Sequence, residues 1–192
     1  MKHLGALASV ALLIFAFSIS GFSQAAGSPA GTPSSDTKEF TDEAEVTSNF
    51  DKSKNETTLG FKMMGIANTQ PQKILLSAST SFAGEKLKNQ PEDIVFILSI
   101  ASPGSYKYPD IMKLKIKADG KDLPEVLILN LDKRKLGETE FLETIGTRMK
   151  YDVFKKISQA KTVEMQLENT KFQLTAGNIK RFADLVRLSQ VN

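Results

Sequence analysis

The stretch Ile111-Met112-Lys113-Leu114-Lys115-Ile116-Lys117-Ala118 alternates without interruption, and Asp119-Gly120 follows it. Met112, Leu114, Ile116 and Ala118 point one way, and the three lysines point the other. A period of two is the mark of a strand with one buried face, and Asp-Gly is a strong turn signal. Glu125 to Leu131 is apolar again, so the two segments pair as an antiparallel hairpin whose loop contains Pro124. A helix cannot place its apolar residues in this way.

Working outward from the hairpin, the chain remains rich in strands. Thr57 to Met64 carries Leu59, Phe61 and Met63 on one face. In Lys73 to Phe82, Ser77, Ser79 and Ser81 oppose Ala78, Thr80 and Phe82. Asp93 to Ala101 is apolar at both parities (Ile94, Val95, Phe96, Ile97, Leu98, Ile100). Such a run reads as a central strand buried on both faces. Glu138 to Met149 fits either a strand or a helix. Gly146 and the threonines at 139, 144 and 147 favour the strand.

Tyr151 to Ala160 has Val153, Phe154, Ile157 and Ala160 at helical spacing. Thr162 to Leu167 alternates, Glu168 to Lys171 turns, and Phe172 to Leu174 returns. Thr175 is a side-chain cap for a last helix that buries Ile179, Phe182, Leu185 and Val186. About nine strands and two late helices predict a mainly β fold. It is an antiparallel sandwich or a strongly curved sheet with two short C-terminal helices, and the alternative class is α+β.

The start of the chain has a different character. Met1-Lys2-His3 is basic, Leu4 to Phe17 is apolar, and Ser23-Gln24-Ala25 offers small residues for cleavage. This order is that of a secretory signal peptide. The apolar core of about 14 residues is short of the roughly 20 that a spanning helix needs. The expected organisation is a signal peptide over 1–25, a flexible Gly/Ser/Pro/Thr-rich linker over 26–44, and one β-rich domain over 45–192. The mature protein is expected to be exported, to the periplasm or the extracellular space, with no transmembrane segment after cleavage.

Composition narrows the chemistry. The chain has 192 residues, one His, at position 3, and no Cys. Cleavage would leave neither residue type. Ser-His-Asp and Cys-His catalysis, ordinary zinc sites, thiol redox chemistry and His- or Cys-ligated haem are then excluded. No metal site or cofactor is expected. The balance of 25 Lys+Arg against 22 Asp+Glu is close to even, and no nucleic-acid-binding arm is present.

The loop Ser102-Pro103-Gly104-Ser105-Tyr106-Lys107-Tyr108-Pro109-Asp110 is the first candidate site. Tyr106, Lys107 and Tyr108 could meet a partner such as an envelope protein or a polysaccharide, since Tyr rings combine contact area with a hydroxyl. The second candidate is the basic face formed by Lys113, Lys115 and Lys117, spaced by roughly 6.8 Å. It could meet an anionic polymer or lipid headgroups, although Asp119, Asp122, Glu125 and Asp132 dilute it.

An enzyme would have to use carboxylates, such as Glu138 with Glu140 or Asp119 with Asp122. Ser158-Gln159-Ala160-Lys161 matches an S-x-x-K string, but it ends a helix where that chemistry needs a helix start. No catalytic residue is assigned. The expected function is an exported, non-enzymatic binding or structural module of the cell envelope or extracellular space. The alternative is a small exported carboxylate-dependent hydrolase.

Overall fold

The computed structural model describes residues 45–66 and 71–190. The signal peptide expected over 1–25 and the linker over 26–44 lie outside the described residues. In chain order the elements are β1 (Val46–Asp51), β2 (Glu56–Ile66), β3 (Lys73–Ala83), β4 (Asp93–Pro103), β5 (Ile111–Ala118), β6 (Lys121–Asp122), β7 (Val126–Lys135) and β8 (Glu140–Lys150). Then come α1 (Tyr151–Gln159), β9 (Val163–Leu167), β10 (Thr170–Gln173) and α2 (Ala176–Leu188).

All the strands join one antiparallel sheet in the order β1-β2-β3-β4-β8-β7-β5-β9-β10, with β6 added to β5. The sheet curls into a half-barrel. Of the two β architectures that the strand pattern allows, the strongly curved sheet is the one present. The expected hairpin forms, with Leu114 opposite Val126 and Ile111 opposite Leu129. Its loop holds the two-residue strand β6, too short to show as a periodicity. Glu140–Lys150 is a strand throughout.

Alternation decides which side chains enter the hollow. Ile94, Phe96, Leu98 and Ile100 of β4, Met112, Leu114 and Ile116 of β5, and Val163, Met165 and Leu167 of β9 are buried on the concave face. Two helices fill that face. Phe182 of α2 stacks on Phe61 at 5.8 Å, meets Phe96 edge-on at 6.2 Å, and lies 4.7 Å from Phe154 of α1. Each such pair is worth about 0.5–1.5 kcal/mol beyond its area.

Helix α2 starts where the sequence places it. Thr175 Oγ1 accepts the N–H of Asn178 at 3.1 Å, and Asn178 Oδ1 accepts the N–H of Thr175 at 3.0 Å. The Asn178 amide also donates to Gly65 O at 3.3 Å, which ties the helix start to β2. At the other end Ser189 Oγ lies 3.2 Å from the Tyr151 hydroxyl, which joins the end of α2 to the start of α1. Among the described residues, no helix is long and apolar enough to cross a membrane.

One expectation needs correcting. Strand β4 is not buried on both faces. Its inward residues are fully covered, but Val95 and Ile97 on the convex side are only half-buried. Their apolar character belongs to a surface feature.

Candidate functional site

The Tyr loop is placed by topology. It must leave β4 and reach β5, which lies beyond β8 and β7 in the sheet. Gly104 starts the turn at φ 87°, and its N–H donates to Thr139 O at 2.8 Å. The loop then passes over Glu143 of β8, whose side chain is buried. The two carboxylate oxygens of Glu143 accept the backbone N–H groups of Lys107 (2.8 Å) and Tyr108 (3.1 Å).

Tyr108 is buried, and its hydroxyl lies 2.9 Å from Thr170 Oγ1 and 3.1 Å from Gln72 Oε1. Desolvation pushes this phenol above its ordinary pKa, and the Glu143 charge adds to the rise. Tyr108 is therefore the loop's anchor. Of the three candidate side chains, Tyr106 and Lys107 are the ones exposed to solvent. Tyr106 is 40% exposed, and its ring sits edge-on against Phe141 at 4.9 Å. Lys107 Nζ reaches Ser105 Oγ at 3.4 Å.

Lys113, Lys115 and Lys117 do stand in a row on the convex side of β5, exposed to solvent. Their charge is partly matched. Lys113 pairs with Glu125 at 2.8 Å and Lys117 with Asp122 at 3.7 Å. Glu164 sits directly opposite Lys117 in the β5–β9 register. Further along, Lys133 pairs with Asp110 at 2.8 Å, and Arg134 pairs with Asp132.

The feature that strand periodicity did not reveal lies between these two. Ile97 of β4 is opposite Gly146 of β8, Gly146 is opposite Leu129 of β7, and Leu129 is opposite Ile111 of β5. The four residues form one continuous row across the convex face. Ile111 is 63% exposed, Leu127 57%, Leu129 43% and Leu131 39%. Gly146 makes the row flat, since a Cβ there would stand 2.8 Å from Leu131 Cδ1. A β-bulge between Asn130 and Asp132 adds the extra residue Leu131 to this side of β7. Its sequence signal is Val126-Leu127-Ile128-Leu129, apolar at both parities like β4.

Beside the row the sheet splits. The β7–β8 ladder ends at Leu129 opposite Gly146, while β7 stays paired with β5 as far as Val126. Beyond that point Thr147 Oγ1 donates to Leu127 O at 2.6 Å. Beside it lies an open groove of about 450 Å³, lined by the apolar Val126, Leu127, Leu129 and Val153 and by the charged Glu125, Arg148 and Lys150. Lys150 pairs with Asp93 at 3.1 Å, whereas Arg148 forms no ion pair with another described residue.

The carboxylate candidates are placed differently. Glu138 is exposed and Glu140 half-exposed at the start of β8. Asp119 is a structural tie whose Oδ1 accepts the N–H groups of Thr162 (2.9 Å) and Lys161 (2.8 Å). A second depression of about 340 Å³ is lined by Glu92 and Asp152, both exposed. A glycosidase-like acid needs one carboxyl raised by burial, which exposure does not supply. The Ser158 hydroxyl donates to Lys155 O of its own helix at 2.8 Å. Among the described residues, no group of three or more His, Cys, Asp or Glu could hold a metal ion.

No protein-family model matches the chain, and neither a curated protein nor a solved structure is significantly similar to it.

Proposed function

We propose that the chain is an exported, non-enzymatic binding module of the cell envelope or extracellular space, and that it binds through the convex apolar row. The observation that carries this reading is the row Ile97–Gly146–Leu129–Ile111, in which Ile111 and Leu129, with Leu127 and Leu131 beside them, are open to solvent on a sheet whose other face carries the core. Contiguous apolar surface of this kind marks a contact site more often than chance exposure of single residues does. The absence of Cys, and of His beyond position 3, supports the non-enzymatic part of the reading.

The test is affinity capture from envelope extract with the chain from Ala26 as bait, beside a Leu127→Asp/Leu129→Asp variant and a Tyr106→Ala/Lys107→Ala variant. Any retained partner is then purified and titrated against all three. Loss of affinity in the leucine variant alone supports the convex row. Loss in the Tyr106/Lys107 variant alone moves the site to the loop. Equal affinity in all three removes both surfaces.

A further inference from the structure

We infer that a second copy of this chain adds to the open sheet edge at β1, strand against strand and antiparallel, about a two-fold axis at Ser48. This surface is separate from the convex row, and the inference goes beyond the binding-module reading without resting on it. Strand β1 ends the sheet, and its ladder partner among the described residues is β2 alone. It runs for six residues, Val46–Asp51, in unbroken register, with no proline and no lysine. Thr47, Ser48 and Asn49 are exposed, so no described element covers the middle of the strand. Main-chain groups along such an edge are a template for another strand. The opposite edge is blunted. Strand β10 has four residues, carries Lys171 and leads at once into the Thr175 cap of α2.

Charge selects the occupant and its direction. Glu45 precedes the strand, at the end of the acidic run Asp42-Glu43-Ala44-Glu45, and Lys52 and Lys54 follow it in the turn. Glu45 and Lys52 are exposed, and neither forms an ion pair with another described residue, whereas Lys54 pairs with Asp51 at 3.6 Å. An antiparallel copy sets the acidic start of each strand beside the basic turn of the other, twice over. A parallel copy would set acid against acid and base against base, which opposes pairing.

Symmetry then limits the register. A two-fold axis normal to an antiparallel ladder makes one residue face its own copy. With Ser48 in that place, Val46 of each copy faces Phe50 of the other, and Thr47 faces Asn49. Val46 and Phe50 are both half-buried. Pairs of a β-branched with an aromatic side chain are among those that stabilise a ladder. Centring on Asn49 would set Val46 against Lys52 and Phe50 against Ser48. In the Ser48 register Glu45 faces Asp51, whose carboxylate is already held by the Ser53 N–H at 2.9 Å and by Lys54. A ladder of this length is smaller than a standard interface, so the dimer is weak, with a Kd of about 100 µM.

Sedimentation velocity of the purified chain between about 10 µM and 1 mM should show monomer giving way to dimer. Ser48→Lys sets like charges face to face and should leave the chain monomeric throughout. Ser48 is exposed, so that variant should melt as the parent does. Glu45→Lys and Lys52→Glu should each weaken association about threefold, and the double exchange should restore it. The chain has no Cys, which makes cross-linking specific. On mild oxidation Ser48→Cys should give a disulfide-linked dimer. Asn49→Cys should not, because the two copies of residue 49 lie more than about 7 Å apart in this register.

A chain that stays monomeric to about 1 mM overturns the inference. So does a Ser48→Lys variant that dimerises like the parent, or cross-linking through Asn49→Cys in place of Ser48→Cys. If the dimer survives Ser48→Lys and is lost in Leu127→Asp/Leu129→Asp, the second copy sits on the convex row. The edge inference then falls, and the binding-module reading stands.

Discussion

The two faces of the half-barrel are made by the same strands and differ in what covers them. On β4, Ile94, Phe96, Leu98 and Ile100 point into a hollow filled by α1 and α2, while Val95 and Ile97 on the opposite side meet water. On β7, Ile128 is buried, and its neighbours Leu127 and Leu129 are exposed. Apolar side chains stabilise a fold only when they leave water on folding. The concave face therefore carries stability, and the convex row contributes little to it. Under the proposed function, the residues kept apolar without that gain are the ones a partner covers.

The largest expected effect tests this division directly. Phe182→Ala removes a fully buried ring that touches Phe61, Phe96 and Phe154. Urea denaturation should show a loss of about 3–5 kcal/mol. Leu129→Ala on the convex row should change stability by less than about 0.5 kcal/mol. A loss at Leu129 comparable to that at Phe182 would show that the convex face is a second core, and the contact-surface reading would lose its basis.

Glu143 comes next, because it is the concave face's buried charge. Both of its carboxylate oxygens accept loop N–H groups, from Lys107 and Tyr108. Glu143→Gln keeps the shape but turns an NH₂ toward one of those donors. A charge-assisted bond is lost and a buried donor left facing another, at a cost of about 2 kcal/mol. The Tyr106–Phe141 contact should loosen with the loop, which Tyr fluorescence can follow. Unchanged stability would mean that the loop is held by Tyr108 alone.

Two glycines sharpen the contrast at a smaller scale. A Cβ at Gly60 would lie 2.6 Å from Ser79 Cβ and 2.8 Å from Ala78 O, so β2 and β3 would have to part. Gly60→Ala should cost about 1–3 kcal/mol. At Gly146 the nearest atom is Leu131 Cδ1 at 2.8 Å, the end of a side chain that can swing into water, and the nearest backbone atom, Phe96 O, stands off at 3.3 Å. Gly146→Ala should cost less, and Leu131→Ala should relieve it in the double variant. Equal costs at the two sites would show that Leu131 is held in place by more than its seat on Gly146.

These contrasts explain which parts of the molecule could be read from the chain. The β5 alternation, its hairpin with β7, the strand read over Glu138 to Met149 and the Thr175 cap are local signals, and each appears in the structure, the strand running over Glu140–Lys150. The Tyr loop stood out for its composition, but its inside and outside did not. Tyr106 and Tyr108 differ because the Glu143 carboxylate, on another strand, draws the backbone beside Tyr108 inward. The convex row was invisible for the same reason. Ile97, Gly146, Leu129 and Ile111 are neighbours only through long-range register, and periodicity says which face a residue takes without saying whose side chain lies opposite. The double-sided apolar run of β4 was misread because a buried strand and a strand with one uncovered apolar face have the same pattern.

The smallest effect concerns a tie at the margin of the sheet. Asp119 sits at φ 50° in the turn after β5 and holds the connection between α1 and β9 through the N–H groups of Thr162 and Lys161. The Thr162 N–H is the leading cause that keeps its carboxyl below the ordinary value of 3.8, and Lys161 adds to it. A native pKa below the unfolded one means that the unfolded chain binds the proton more readily. The stability Asp119 contributes is thus fully present above about pH 4 and declines as the pH falls through the lowered native value. Asn tolerates the same positive φ and keeps an acceptor oxygen, so Asp119→Asn removes the charge with little change of backbone. Thermal melts between pH 2 and 7 should show the variant slightly below the parent at neutral pH, with the two curves converging in acid. Curves that stay parallel down to pH 2 would mean that the carboxylate charge plays no part, and that the turn is held at this edge by hydrogen bonds an amide makes equally well.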